Sequence, residues 1–423
     1  MIDLKQKKLL MLGGASYAPY VKEYADKAGF RLFSAGTPVN ATMKACSEEF
    51  FLVNAGDVEG ICALIKEQQI DGILSLGNEN LICAAIEMAR RCDLPFYLAP
   101  EHWEEMQDKE NFKKHCGEFG VDVIEPLEIS RDPSDEELAA LPYPLVIKPA
   151  GSSGSKGITV CYAKDTVKEA LKKAASFSRT GTYIAERFMQ CPEFIVSYMI
   201  KDGEVGLWML GDRHMNTRQK GFGALSNLSV FPSRFSELYI NNVHDKMVAM
   251  LKKHGPKNGT LFVQGFVDGD KIRFFDPGLR FCGTLDTIVY PKICGISPLD
   301  WMVNHSLTGV LCTDEEFEKM DWRFHGKAYA QLSVLVHPGK IARIEGIDRL
   351  KDIPGVENVV QLLSEGSTVD MVGTLQQVLV RIHMIVENRE MITETVKKIY
   401  DTVVVTDEEG KDMKMPYQEE YEI

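Results

Sequence analysis

The chain reads as a multidomain protein of mixed α/β and α+β class. Two observations predict this: an N-terminal run in which short apolar strands alternate with amphipathic helices, and a later stretch of β-hairpins around a glycine-rich turn. Length agrees, since 423 residues exceed one ordinary core and suggest two to four domains. Apolar residues make up 45% and charged residues 26%, the balance of a globular protein rather than a disordered or membrane chain.

The N-terminal part is justified first. Residues 9–12, 30–34, 72–76 and 95–98 are short apolar runs and predict strands, while 17–28, 58–68 and 79–91 predict the helices between them. That order gives a parallel sheet. The turn Gly13-Gly14-Ala15-Ser16 lies where a dinucleotide fingerprint would begin, but GxGxxG is missing and residues 31–36 offer no acid for a ribose. A nicotinamide cofactor is therefore not expected, although the strand ends remain a surface for a small substrate. Residues 101–142 are charged and helical, with helices predicted at 109–119 and 132–141. From Pro144 onward the texture turns to paired strands: 145–148 and 158–162, then a helix at 165–177, then strands at 182–186, 194–200 and 205–210. Asp202-Gly203 supplies the hairpin turn between the last two. A helix at 238–254 leads to a hairpin of 261–267 and 271–276. The final hundred residues repeat the α+β texture, with strands near 328–336, 341–345 and 376–385, a helix at 388–400, and an acidic tail from 408 to 423.

Composition excludes several classes of partner. A formal charge of −13 argues against nucleic acid, whose phosphates demand a basic face. The 10 cysteines are scattered without a CxxC pair, so reduced thiols are expected, and no cluster with zinc-ligand spacing is visible. The apolar run at 9–12 is too short for a signal-peptide core, and no stretch reaches transmembrane length. A cytoplasmic protein without membrane contact is the expectation.

The motif that carries chemistry is Leu145-Val-Ile-Lys148-Pro-Ala-Gly151-Ser-Ser-Gly154-Ser-Lys156-Gly157. Glycines three apart let successive N–H groups turn inward and form a nest for anionic oxygens. Ser152, Ser153 and Ser155 add hydroxyl donors, Gly154 and Gly157 supply the bends, and Lys148 brings an ammonium on the entering strand. The Walker A spacing is not satisfied, and the segment after Gly157 reads as strand, not helix. A protein kinase would place its lysine downstream of the glycine loop, whereas here it lies upstream.

This segment resembles the mobile glycine-rich loop of the ATP-grasp superfamily, in its branch of carboxylate–amine ligases and carbamoyl-phosphate synthase large subunits. The resemblance extends over about residues 8–400. It implies a Rossmann-like N-terminal domain (1–100), an ATP-grasp domain (101–310) with a lid subdomain at about 143–190, and a small α+β C-terminal domain (311–423). Lys109 resembles the family's first nucleotide lysine and Lys148 its second. Thr182-Tyr-Ile-Ala-Glu186-Arg187-Phe188-Met189 resembles the hinge strand whose backbone reads the adenine edge, with Glu186 beside the amino group. Glu193 matches the acid that holds the ribose hydroxyls.

The resemblance also implies magnesium or manganese beside ATP, held by an acid on one strand and by an acid and an asparagine, followed by arginine, on the next. Here the pair is Phe262-Val-Gln264-Gly-Phe and Phe274-Phe-Asp276-Pro-Gly278-Leu-Arg280. Gln264 stands for the first acid, Asp276 for the glutamate and Gly278 for the asparagine; Arg280 alone matches outright. Three accounts stay open: a working site with one firm and one weak metal, a changed chemistry, or nucleotide binding without turnover. The implied reaction joins a carboxylate, of an amino acid or similar metabolite, to an amine through an acylphosphate, with Lys148 and Arg280 acting on the transferring group. A biotin-carboxylase-like subunit is the alternative. Arg213 and Ser233, with Arg280, are candidate contacts to the substrate, and related enzymes are often homodimers.

Overall fold

A computed structural model describes residues 2–150, 157–178, 181–216 and 225–417. The N-terminal sheet is parallel, with strands β1 (Lys8–Leu12), β2 (Arg31–Ala35), β3 (Glu49–Phe51) and β4 (Gly72–Leu74) in the order β3-β2-β1-β4. Every residue of β1 but the first is buried, as befits a central strand covered on both faces. The helices between the strands are Ala18–Ala28, Ala41–Cys46 and Val58–Gln68, and Glu79–Cys92 follows β4. Asp57 and Asn78 cap the last two, each side chain accepting from amides of the first turn. One strand was not foreseen, and one expectation needs correction. Glu49–Phe51 is a strand, and residues 95–98 are not: Tyr97 is buried and donates its hydroxyl to the Leu279 carbonyl at 2.9 Å, so burial comes from tertiary contact rather than a ladder.

A second sheet is small and antiparallel. It contains β5 (Pro126–Leu127), β6 (Leu145–Pro149), β7 (Thr159–Cys161) and β8 (Tyr183–Arg187), in the order β5-β8-β6-β7. Helix Val167–Phe177 covers one face, burying Val167, Ala170, Leu171 and Ala174 against Leu145 and Ile147.

The largest sheet has eight strands. They are β9 (Glu193–Lys201), β10 (Glu204–Asn216), β11 (Leu225–Phe231), β12 (Gly259–Asp268), β13 (Lys271–Gly278), β14 (Ala328–Leu335), β15 (Val356–Gln361) and β16 (Val378–Val386). Their order is β13-β12-β9-β10-β11-β14-β16-β15. The Asp202-Gly203 turn between β9 and β10 has φ of 50° and 85°, the positive values that a tight two-residue hairpin requires. The sheet crosses residue 310 without interruption, because β11 pairs with β14 and β14 with β16. One apolar core likewise runs from Leu4 through β9, β10 and β12 to Tyr329, joining N-terminal and central elements. Helix Pro298–Thr308, almost wholly buried, packs against β4 and β1 of the N-terminal sheet. Helix Glu390–Thr402 covers β14 and β16. All 10 cysteines are free thiols, and among the described residues no helix is long and apolar enough to cross a membrane.

Candidate functional site

Helix Lys109–Glu118 begins behind Asp108, whose carboxylate accepts from the amides of Glu110 and Asn111 at 3.0 Å each. That cap fixes the first turn and, with it, Lys109 and Lys113, which share a face at i and i+4. Lys109 Nζ lies 2.7 Å from Asp276 Oδ1 on β13. Lys113 pairs with one oxygen of Glu186 on β8, and Lys148 Nζ on neighbouring β6 lies 2.6 Å from the other. Lys148 also sits 5.4 Å from the centre of the Phe275 ring, so it spans from the small sheet to the large one. Two sheets and one helix thus bring Lys109, Lys113, Lys148, Glu186 and Asp276 together. A cavity of about 940 Å³ opens beside them, lined by Lys109, Lys113, Val123, Leu127, Ile184 and Ala185 among others.

Burial and close charge pairing govern the ionisation here. Burial opposes ionisation of Glu186, but Lys148 and Lys113 outweigh it and hold the carboxyl below its ordinary range. The same holds for Asp276, where Lys109, Lys148 and Arg280 overcome desolvation. Lys109 is held above its usual value, since Asp276 more than offsets burial. Lys148 goes the other way: desolvation, with the repulsion of Lys109, exceeds the attraction of Glu186 and pulls it down.

Arg280 completes the group from beyond β13. Its Nη2 lies 3.0 Å from Glu79 Oε1 at the start of helix Glu79–Cys92, and its guanidinium stacks 5.0 Å from the Phe262 ring centre. Its Nε is buried with no hydrogen-bond partner among the described residues. Gln264 and Asp276 are directly opposed on β12 and β13, next to a bulge at Gln264/Gly265. One carboxylate and one amide oxygen, both hard donors, are the kind of ligands that would suit a single magnesium ion. Gly278 adds no ligand and has no room for one. A Cβ there would stand 2.4 Å from the Phe262 ring, so Phe262 occupies the space of the missing side chain.

Other expected residues fall as follows. Gly157 has φ of 77° and lies against Phe177 and Pro149, a conformation and a close approach that favour glycine. Ser152, Ser153, Gly154 and Ser155 lie outside the described residues. The segment beyond Gly157 is strand β7, as expected of a hairpin. Arg187 ends β8, and the Phe188 amide donates to the Pro144 carbonyl at 3.1 Å, so that amide is committed to the fold. Met189 is buried. Glu193 and Arg213 pair with one another at 2.6 Å across β9 and β10, and burial pushes the Glu193 carboxyl up against the pull of Arg213. Ser233 needs correction. It is buried, donating to Asp212 at 2.5 Å and accepting from the Phe235 amide at 2.9 Å, in a cluster that Arg389 closes by pairing with Asp212 at 2.7 Å. Its hydroxyl therefore serves the fold rather than a substrate.

Comparison with known proteins bears on the fold and on the segment that contains Lys109, Lys148 and Glu186. Residues 108–233 match the family model "Carbamoyl-phosphate synthase L chain, ATP binding domain". The crystal structure of an L-amino acid ligase from Bacillus licheniformis superposes with a TM-score of 0.78, covering 96% of this chain and 99% of that one at 16% identity. The chain thus has the fold of that ligase, and its residues 108–233 are similar to that ATP-binding domain. Among curated relatives, the ATP-grasp enzyme fsqD of Aspergillus fumigatus is 27% identical over 168 residues, 38% of this chain and 28% of that protein. The phosphoribosylamine–glycine ligase of Lactococcus lactis is 24% identical over 281 residues, 59% of this chain and 66% of that protein. The chain thus spans less than two thirds of the length of either.

Two residues of the cluster escaped sequence reasoning. Lys113 had a signal, the helical spacing from Lys109. Glu79 had none, because its link to Arg280 joins segments that only the tertiary fold brings together.

Proposed function

We propose that this chain is an ATP-grasp enzyme, an ADP-forming ligase that activates a carboxylate with ATP and joins it to an amine. The observation that carries the reading is the meeting of Lys109, Lys148 and Arg280 at Asp276, between the small sheet and the large sheet. Transfer of a γ-phosphoryl group needs positioned positive charge and no nucleophilic side chain. Lys109 and Lys148 hold the phosphates, aided by the glycine-rich loop with Ser152, Ser153, Gly154, Ser155 and Gly157. The hinge at Glu186–Met189 and Glu193 take the nucleoside. Arg280, whose Nε has no hydrogen-bond partner among the described residues, steadies negative charge on the transferring group and the acylphosphate. The amine then displaces phosphate. Asp276 and Gln264 would hold a divalent cation, which supplies charge neutralisation on the phosphate oxygens when bound. The L-amino acid ligase of similar fold favours an amino acid as the carboxylate.

The test is an ADP-release screen of amino acids, singly and in pairs, with magnesium and with manganese. Stimulation by a carboxylate–amine pair is expected. ATP binding without stimulation by any pair refutes the ligase. One observation favours that second reading, nucleotide binding without turnover: Phe262 fills the position from which a further metal ligand would come.

A further inference from the structure

Beyond β13 the chain turns through Phe281–Thr284, and four successive carbonyls of that turn accept from four different side chains. Arg280 Nη1 donates to Phe281 at 3.1 Å, the Tyr17 hydroxyl to Cys282 at 3.3 Å, Arg381 Nη1 to Gly283 at 2.6 Å and His383 Nε2 to Thr284 at 2.8 Å. Arg381 and His383 stand on β16, so a C-terminal strand closes on the segment that carries Arg280. The two guanidinium tips rest on carbonyls two residues apart, a span of about 7 Å at most. Tyr17 lies between them. Burial and Asp286 raise the pKa of its hydroxyl, and Arg280 and Arg381 both act on it in the opposite sense. Gly283 is exposed, and a Cβ there would meet nothing within 4 Å, so the turn faces open space.

Arg381 differs from Lys109, Lys113, Lys148 and Arg280, each of which faces a carboxylate. It is only 8% exposed, its Nε is buried without a hydrogen-bond partner, and no carboxylate pairs with it among the described residues. Asp286 is committed elsewhere, accepting from the hydroxyls of Tyr329, at 2.6 Å, and Thr284. A buried charge without a counter-ion is costly, and a guanidinium meets a carboxylate with two parallel hydrogen bonds. We infer that Arg381 binds a carboxylate of the amine substrate, which is therefore itself an amino acid. This rests on the ligase reading and sharpens it. Arg280, in the field of Asp276, attends the carboxylate being activated, while Arg381 holds the one that stays free. One amino-acid unit spans about 3.8 Å, within the separation of the two tips. The amine nitrogen, losing a proton to solvent, forms the amide bond as the acyl–phosphate C–O bond breaks and phosphate leaves. The carboxylate on Arg381 takes no part in these bond changes, and the product is a dipeptide.

The test sets each common L-amino acid against its own C-terminal amide as the amine, with a fixed carboxylate partner, in ADP release by the full chain with MgATP. The acid should show a KM lower than the amide's by about 10- to 150-fold, the worth of a hydrogen bond to a charged group. Arg381→Met should erase that preference, and Arg381→Lys, which restores the charge without the fork, should recover part of it. A merely structural arginine would leave the acid–amide ratio as it is in the parent. Isothermal titration of the same acids and amides onto the full chain with MgADP reads the contrast without turnover. Binding preference without ADP release from any pair would keep the anion site and refute the ligase. Equal KM and equal affinity for acid and amide overturn the inference, as does the failure of every acid to bind. A preference unchanged in Arg381→Met also overturns it. Thermal melting verifies that the variants fold, and the contrast in the parent needs no variant.

Discussion

Lys148→Met separates nucleotide binding from stability. The ammonium it removes is buried, reaches Glu186 at 2.6 Å, and is held below its ordinary pKa because burial and Lys109 outweigh that pairing. Its loss therefore relieves a desolvation penalty while Glu186 keeps Lys113 as a partner. A change in folding stability under about 1 kcal/mol is expected, since methionine restores most of the buried volume. Binding should respond differently. A hydrogen bond to a charged group contributes about 1.5–3 kcal/mol, so the loss of one phosphate contact should weaken ATP by about 10- to 150-fold. Isothermal titration with MgATP gives the affinity, and urea unfolding without nucleotide gives the stability. ATP bound as tightly as by the parent would refute the phosphate role of Lys148. A stability loss of several kcal/mol would refute the charge argument.

Glu186→Gln is the opposite case. It strands two buried lysines and should cost about 3–5 kcal/mol, with MgATP recovering more melting temperature than in the parent; urea curves and melting with and without nucleotide measure both. His383 is fully buried, donates through Nε2 to the Thr284 carbonyl at 2.8 Å, and desolvation pulls its pKa down to about 4. Between pH 6.5 and that value the unfolded chain binds a proton that the folded chain refuses, so stability falls as pH falls through this window. The shift corresponds to about 3 kcal/mol, and His383→Gln should remove that part of the slope in melting from pH 7 to 4. Gly278→Asn should destabilise by about 1–3 kcal/mol through collision with Phe262. Adding Phe262→Ala should relieve the collision, and unchanged melting in Gly278→Asn alone would refute that packing.

Elements with a strong local signal were legible. Helix Val58–Gln68 has its apolar stripe and an aspartate cap, and helix Lys109–Glu118 has the same kind of start. Strand β11 was missed because Ser226, Asn227 and Ser229 interrupt its apolar residues. The structure buries six of its seven positions, so no inside–outside alternation shows in the sequence. Edge strand β15 was missed for the converse reason: it pairs on one side only and none of its residues is buried. Lys109, Lys148, Glu186, Asp276 and Arg280 each sit in a short motif, which is why the sequence singles them out, and the fold brings them together. Glu79 was not singled out, since only long-range packing brings it to Arg280. Ser233 misled because a serine before a helix looks alike whether it faces a ligand or a buried aspartate.

The pairing of the cleft's cations with its own acids has a consequence for selectivity. Lys109, Lys113, Lys148 and Arg280 each already face a carboxylate, so an incoming anion must displace internal contacts rather than fill bare charge. A single phosphate can replace one such contact and gains little over what it breaks. A triphosphate engages several at once, and its later contacts form at the high local concentration set by the first. On the proposed function, such a cleft would discriminate by the number of linked charges and favour ATP over free phosphate.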